Sequence, residues 1–332
     1  MLDATDKTLI EVRGARKLFP IFGGFFKRTV GHVKAVDSIG LSIERGETLG
    51  LVGESGCGKT TLGRCVTRLI PLSEGEILYN FGGEFRSLDT LGRKERFNYS
   101  KKVQIVFQDP YSSMNPIRTV FDAFDEPLRV HGMGAREQRR ELIAQLMEVV
   151  NLHADHMYRH PHEFSGGQLQ RICIARALCL NPEMLVLDEP VSSLDVSIQA
   201  QILNLLQDIQ LERKITYLFI AHDLSVVEYM STRIAVMYLG KIVELAKGGT
   251  LYTSPRHHYT EALLSAVPIP ELDRERNRIV LEGDVPSPAN PPTGCRFHPR
   301  CRMAKPECAL QEPMLTDCGD EHMVACHFPL KA

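Results

Sequence analysis

The stretch Gly53-Glu54-Ser55-Gly56-Cys57-Gly58-Lys59-Thr60 decides the fold of this chain. It fits the pattern G-x-x-x-x-G-K-[ST] and stands between an apolar run at 48–52 and residues 62–69, whose apolar positions have helical spacing. Glycines here let successive backbone N–H groups point at phosphate oxygens, assisted by the positive end of the following helix. The stretch predicts a buried strand, a phosphate-binding loop and a helix, with Lys59 at the β- and γ-phosphates and the Thr60 hydroxyl on Mg²⁺.

A second element suited to a nucleotide follows at residues 184–189, where an apolar run ends in the carboxylates Asp188 and Glu189. Sheets of the α/β class bind ligands at the carboxyl ends of their strands. Hydrolysis of a magnesium nucleotide needs one carboxylate for the metal and one for the attacking water. We therefore predict that Asp188 binds Mg²⁺ and that Glu189 polarises the water.

The hydrophobic pattern predicts the surrounding architecture. Residues 9–52 alternate short apolar stretches with turn signals, which is typical of antiparallel strands. Residues 116–180 have helical periodicity, whereas 184–187 and 216–221 are short, fully apolar runs typical of strands covered on both faces. Strands that alternate with helices predict a parallel α/β core with a helical subdomain inserted before residue 184.

Composition limits the function classes. The chain has 332 residues, a net charge of −2 and basic residues spread along its length, which argues against an electrostatic grip on nucleic acid or anionic lipid. Its first residues lack the cationic start and apolar run of a signal peptide, and its apolar runs are far shorter than the roughly 20 residues of a membrane span. We expect a cytosolic protein that acts at a membrane through partners.

The C-terminal part contains a segment rich in proline, between 268 and 292, and five cysteines. Four of them, Cys295, Cys301, Cys308 and Cys326, form the spacing C-x₅-C-x₆-C-x₁₇-C, and Cys318 is left over. Disulfides are unlikely in a cytosolic chain, so four thiolates in one loop-rich segment indicate a structural metal site. An iron–sulfur cluster and zinc both take four cysteines, and reduced, unliganded thiols are the third interpretation.

Between the two phosphate elements lies Phe164-Ser165-Gly166-Gly167-Gln168, which is similar to the signature L-S-G-G-Q of the ATP-binding cassette family. The resemblance covers residues 8–254 and implies a P-loop, RecA-like α/β core with an antiparallel β subdomain and an α-helical subdomain at about 111–180. In this family the signature closes over the γ-phosphate held by another cassette. The resemblance therefore implies a dimer with two composite sites.

Three further positions resemble the family's switches in the family's order. Gln108 matches the Q-loop glutamine, which senses Mg²⁺ and the water; Asp195 ends Ser192-Ser193-Leu194-Asp195, which matches the D-loop; and His222 matches the switch histidine. The resemblance implies that Glu189, His222 and Gln108 are catalytic. It also implies that Thr60, Gln108 and Asp188 surround Mg²⁺.

The resemblance also implies which residues contact ATP. Phe19 best matches the aromatic residue that stacks on adenine, with Phe22 and His32 as competitors because residues 20–33 look like an insertion. The other nucleotide contacts implied are Gly53, Glu54, Ser55, Gly56, Cys57, Gly58, Lys59, Thr60, Thr61 and Asp188, together with Ser165, Gly167, Gln168 and Asp195 on the face that meets the second cassette.

The segment 257–268, with the later 283–288 and 294–301, resembles the extension that follows the cassette in ATPases of oligopeptide and dipeptide importers. Some members of that group carry a [4Fe–4S] cluster at matching cysteines, which favours the cluster at Cys295, Cys301, Cys308 and Cys326. The chain is thus predicted to end in an importer-type extension over 255–332.

The predicted function is ATP hydrolysis that powers uptake of oligopeptides or dipeptides at the cytoplasmic face of the cell membrane. Nickel or an oligosaccharide is the alternative solute, and an exporter cassette or a non-transport ATPase acting on DNA or ribosomes is a weaker alternative. The implied partners are a second ATPase, identical or different, two integral membrane permease subunits and an extracytoplasmic solute-binding protein.

Overall fold

The computed structural model describes residues 7–267 and 279–331. Part of the proline-rich segment, at 268–278, lies outside the described residues. The strands of the described residues are β1 Thr8–Gly23, β2 Arg28–Glu44, β3 Thr48–Val52, β4 Glu74–Asn80, β5 Phe85–Ser87, β6 Val103–Val106, β7 Met184–Asp188, β8 Thr216–Ile220, β9 Arg233–Tyr238, β10 Lys241–Lys247, β11 Thr316–Asp317 and β12 Met323–Val324.

The α-helices of the described residues are α1 Lys59–Val66, α2 Arg93–Lys102, α3 Val120–Val130, α4 Arg136–Val149, α5 Gly166–Leu178, α6 Val196–Arg213, α7 Leu224–Met230, α8 Gly248–Thr253, α9 His258–Ser265 and α10 Pro306–Leu310. Short 3₁₀ turns occur at Ala154–Tyr158, Pro161–Glu163 and His298–Arg300. Along the described parts of the chain, no helix is both long and apolar enough to cross a bilayer.

The chain divides into two compact units. Unit 1 contains residues 1–90 and 220–332, and unit 2 contains residues 91–219. In unit 1, an antiparallel sheet has the order β2-β1-β4-β5. Its β1 and β2 form a long hairpin in which Phe19 lies opposite Val33. The residues predicted to be an insertion, 20–33, are thus the far end of this hairpin, and the expected antiparallel β region is confirmed.

Unit 1 also contains strands of a second sheet, and one of these strands, β3, ends directly before the phosphate loop. Strand β3 pairs in parallel with β9, and β9 pairs antiparallel with β10. Every residue of β3 is buried, which explains its uninterrupted apolar character because both of its faces are covered. Strand β12 pairs with β10, and β11 with β12. Residues 255–267 and 279–331, called the C-terminal segment below, therefore add strands to this part of the fold.

Unit 2 combines parallel strands with the helical region. Strand β6 pairs in parallel with β7, and β8 is the neighbour of β7 on its other side. Thr119 caps the N-terminus of α3: its hydroxyl accepts the N–H of Asp122 in a reciprocal capping pair. Buried side chains such as Phe124, Ile143 and Ile172 line the helices. The expected P-loop α/β fold with a helical part is confirmed, whereas the domain limits at 254/255 and 111–180 stay a prediction.

Candidate nucleotide-binding site

The phosphate loop in unit 1 has a backbone that only glycine accepts at two points. A Cβ added to Gly53 would lie 2.1 Å from the carbonyl oxygen of Met237. A Cβ added to Gly58 would lie 1.9 Å from that of Ala35, and Gly58 has a φ of +111°. The loop thus wraps directly against the backbone of β9 and β2 before α1 begins. These two glycines are required because the loop lies too close to the neighbouring main chain for a Cβ, and because its backbone conformation favours glycine.

Lys59 begins α1 and is only 5% exposed. Its Nζ donates to the carbonyl oxygens of Gly53 at 2.7 Å and Glu54 at 3.1 Å. The ammonium is thereby held over the loop's own backbone, at the N-terminal end of a helix, where an anion is favoured. Thr60 follows it in the first turn of the same helix. The arrangement can hold an anionic phosphate group.

Unit 2 brings two predicted catalytic side chains together. Asp188 ends β7 and is 2% exposed. Glu189 follows with a φ of +49°, a left-handed conformation that is costly for a non-glycine residue. The Gln108 amide Nε2 donates to the Glu189 carboxylate at 2.9 Å. Register explains this contact: Val106 pairs with Leu187 on parallel strands, so positions two residues further along both strands meet.

The signature stretch forms the start of α5. The Ser165 hydroxyl accepts the N–H of Gln168 at 3.4 Å, and the side-chain amide oxygen Oε1 of Gln168 accepts the N–H of Ser165 at 3.1 Å. Phe164 is buried, which explains why another apolar residue can replace leucine there. A Cβ on Gly167 would lie 2.5 Å from the Ile198 side chain.

The signature and the predicted D-loop residue face the same concavity. The cavity beside α5 has a volume of about 960 Å³. Its lining includes Ser165, Gly167, Gln168 and Asp195, as well as Arg171. Sequence reasoning missed Arg171, whose Nη2 donates to the Gln201 amide oxygen at 2.9 Å. Unit 2 therefore gathers the residues expected to meet a second cassette on one surface.

Two further predicted contacts lie in unit 1. His222 is exposed directly after β8, and Asp223 begins α7 by accepting the N–H of Ser225. Phe19 is 39% exposed, with the Lys17 ammonium 5.3 Å from its ring centroid. Phe22 is 60% exposed further along the hairpin, so which aromatic side chain stacks on adenine stays a prediction.

The four cysteines predicted to hold a metal lie in the C-terminal segment. Burial raises the pKa of Cys295 and of Cys326 to about 11, and Cys301 and Cys308 add to the shift at both. The four thiols are thus near enough to affect one another. However, no group of three or more His, Cys, Asp or Glu side chains within 7–267 and 279–331 is arranged to hold a metal ion.

The predicted iron–sulfur ligand set and the zinc alternative therefore stay predictions. The spacing of cysteines in a loop-rich segment does not fix the distances between their sulfurs. Cys318, the cysteine left over in the sequence, is exposed.

Comparison with known proteins adds two family matches. A model described as ABC transporter matches residues 36–192. A model described as Oligopeptide/dipeptide transporter, C-terminal region, matches residues 243–308. Together they include the phosphate loop, the signature stretch, Asp188, Glu189 and three of the four cysteines.

Two relatives match almost the whole chain. The chain is 51% identical over 330 residues to the oligopeptide transport ATP-binding protein AppF of Bacillus subtilis, covering 99% of each chain. It is 52% identical over 305 residues to the putative oligopeptide transport ATP-binding protein YkfD of the same organism, covering 91% of each. A solved dimer of the ATP-binding cassette MJ0796 with ADP and Pi is similar at a TM-score of 0.63 and 26% identity, covering 72% of this chain and 98% of that one.

Proposed function

Because this chain belongs to the ABC transporter family, we propose that it is the ATP-hydrolysing subunit of an importer that takes up oligopeptides or dipeptides. The observation that carries the proposal is the phosphate loop, with Lys59 held on its backbone, in the same chain as the C-terminal region of oligopeptide and dipeptide transporters. The full-length similarity to oligopeptide transport ATP-binding proteins supports the peptide as solute.

ATP binding is assigned first to unit 1. The loop from Gly53 to Thr61 contacts the phosphates, with Lys59 supplying the positive charge, and an aromatic side chain of the β1–β2 hairpin, Phe19, supports adenine. Mg²⁺, when bound, neutralises phosphate charge. The residues that would hold it are Thr60 in unit 1 and, in unit 2, Asp188 and Gln108, as the resemblance implies.

Hydrolysis is assigned to Glu189, Gln108 and His222. Glu189 orients and polarises the attacking water, and the 2.9 Å hydrogen bond from Gln108 holds its carboxylate in one orientation. His222 contacts the γ-phosphate and reports its presence. Because Gln108 holds the Glu189 carboxylate, we propose that Gln108 communicates the state of the bound nucleotide to the other subunits of the transporter.

Pairing with a second ATPase completes the site. Ser165, Gly167, Gln168 and Asp195 line one concave surface, and the solved relative with ADP and Pi is dimeric. The proposed complex contains this chain, an identical or different second ATPase, two integral membrane permease subunits and an extracytoplasmic solute-binding protein. The ATPases lie at the cytoplasmic face of the membrane, and no nucleic acid takes part.

A [4Fe–4S] cluster at Cys295, Cys301, Cys308 and Cys326 is the finer part of the proposal. It rests on the resemblance and on the proximity of the cysteines, since the N–H of Cys295 donates to the main-chain oxygen of Cys308 at 2.7 Å, and no step of ATP hydrolysis depends on it. Iron and acid-labile sulfide would be measured in anaerobically purified protein. We expect both in the wild type and in Cys318→Ser, and loss in Cys301→Ser; zinc without sulfide, or no metal, would exclude the cluster.

The proposed function is tested by separating ATP binding from turnover. Glu189→Gln keeps the shape of the side chain and the contact with Gln108 but removes the charge that polarises water. We expect this variant to bind Mg-ATP and to lose at least about 100-fold in turnover within the assembled complex. Wild-type turnover by Glu189→Gln would refute the role of Glu189, and absence of ATP binding by the wild type would refute the function.

A further inference from the structure

Glu54 presents an electrostatic problem inside the phosphate loop. It is the second residue of the loop, directly after Gly53, and its main chain is part of the surface expected to cradle phosphate. A carboxylate beside a triphosphate is repulsive, and the repulsion is strong where water is partly excluded. A chain with glutamate at this position therefore needs something to neutralise that side chain and to turn it away from the nucleotide.

Arg300 of the C-terminal segment meets this need. Its Nη1 donates to Glu54 Oε2 at 2.7 Å and its Nη2 donates to Oε1 at 3.1 Å, which is a bidentate pair. The Arg300 side chain is only 7% exposed and that of Glu54 27% exposed, so solvent screens the pair weakly. The hydrogen bond to Glu54 is also the main reason that the pKa of Arg300 is raised.

Tyr259, also in the C-terminal segment, holds the main chain of the same residue. Its hydroxyl accepts the N–H of Glu54 at 2.9 Å. The ring is fully buried, 4.7 Å from that of Tyr238 and 5.3 Å from that of Phe297, measured between centroids. Aromatic packing thus fixes the position of Tyr259. The C-terminal segment therefore holds both the side chain of Glu54, through Arg300, and its main-chain N–H, through Tyr259.

The C-terminal segment is itself attached firmly to unit 1. Arg296 donates to the Asp37 carboxylate of β2, and both side chains are at least 90% buried. His322 contacts the Glu244 carboxylate of β10 at 2.6 Å, and Glu244 is fully buried. A support that is anchored on two strands can resist displacement when the phosphate loop binds or releases a ligand.

We propose that Arg300 and Tyr259 are positioning residues for ATP, which neutralise and orient Glu54 so that the phosphate loop is ready to receive a triphosphate. This inference rests on the proposed function, since it assumes that the loop binds ATP. It makes the C-terminal segment a working part of the nucleotide site. Arg300 acts through Glu54 and does not itself touch the nucleotide.

The test measures the affinity of the full-length chain for Mg-ATP by titration calorimetry in four variants. We expect Arg300→Gln to weaken binding by about tenfold, because the Glu54 carboxylate is left unpaired beside the phosphates. Arg302→Gln is the matched control: Arg302 flanks Cys301 from the other side, is 56% exposed and pairs with Glu261. We expect it to bind ATP like the wild type.

The role of the Glu54 charge is tested by a double-mutant cycle. Adding Glu54→Gln to Arg300→Gln removes the unpaired carboxylate, so we expect the loss caused by Arg300→Gln to be at least about threefold smaller in that background. A purely structural role for Arg300 would give the same loss in both backgrounds. If Arg300→Gln does not fold, Arg300→Lys replaces it; loss of the bidentate fork should then weaken binding by about threefold.

Each result has a definite meaning. Wild-type affinity in Arg300→Gln or in its lysine substitute overturns the inference, and so does an equal loss in Arg302→Gln, which would indicate general damage to the segment. Equal effects of Arg300→Gln in the two Glu54 backgrounds also overturn it. If the wild-type chain binds no ATP, the proposed function fails and the inference fails with it.

Discussion

His257 makes the stability of unit 1 sensitive to acid. The side chain is fully buried at the start of α9, where its Nδ1 accepts the N–H of Tyr259 at 3.0 Å. Burial lowers its pKa from 6.5 to about 4; among its charged neighbours, Glu244 opposes the shift and His258 adds to it. Between pH 4 and 6.5, the His257 imidazole is therefore neutral in the folded protein but protonated in the unfolded chain.

The sign and size of the effect follow from proton linkage. Because the folded pKa lies below the unfolded one, the contribution of His257 is complete above pH 6.5 and is lost as the pH falls towards 4. At pH 5.5 the unfolded state gains about 1 kcal/mol from protonating this residue, and below pH 4 the loss approaches about 3 kcal/mol.

The assay is urea unfolding at pH 7.5 and pH 5.5, with His257→Asn as the comparison. Asparagine can still accept the N–H at the helix start but does not titrate in this range. We expect the wild type to lose about 1 kcal/mol more than His257→Asn between the two pH values. Equal losses in the two proteins would refute the assignment of a depressed pKa to His257.

Three further predictions concern the loop and its support. Gly58→Ala forces a side chain against the Ala35 carbonyl at a φ of +111°. We therefore expect the free energy of unfolding to fall by at least about 2 kcal/mol and ATP binding to be lost. A variant that unfolds like the wild type would contradict the loop geometry. Arg296→Met removes the buried partner of Asp37 Oδ2 while Arg16 stays 3.0 Å from Oδ1, so we expect about 1–3 kcal/mol of destabilisation in urea unfolding; unchanged stability would contradict the contribution of the buried pair. Lys59→Ala should lower ATP affinity at least about tenfold in calorimetry with the melting temperature changed little, whereas unchanged affinity would remove Lys59 from the site.

Local motifs made much of the site predictable. The residues of the phosphate loop and of Asp188-Glu189 are contiguous, and an apolar run before each identifies the strand that presents it. The contact of Gln108 with Glu189 spans 81 positions. It could still be anticipated, because both residues follow apolar runs and the ends of parallel strands meet at one edge.

Other features could not be predicted because they depend on distances that spacing does not determine. Glu54 and Arg300 are 246 positions apart. Nothing in the sequence around either residue indicates that the two form a pair. The four cysteines lie within 32 positions of one another, yet the direction of each thiol depends on loop conformations that the sequence pattern leaves open. The residue that contacts adenine could not be predicted either, because several aromatic side chains lie along one hairpin.

The central claim is that ATP hydrolysis by this chain powers peptide import, and uptake by the reconstituted complex tests it most directly. The complex would be assembled with its permeases, second ATPase and solute-binding protein in proteoliposomes, and accumulation of a labelled oligopeptide would be followed with Mg-ATP at the ATPase face. We expect uptake that requires ATP and is abolished by Glu189→Gln. ATP-dependent uptake of nickel or an oligosaccharide in place of peptide, or peptide uptake unaffected by Glu189→Gln, would contradict the account.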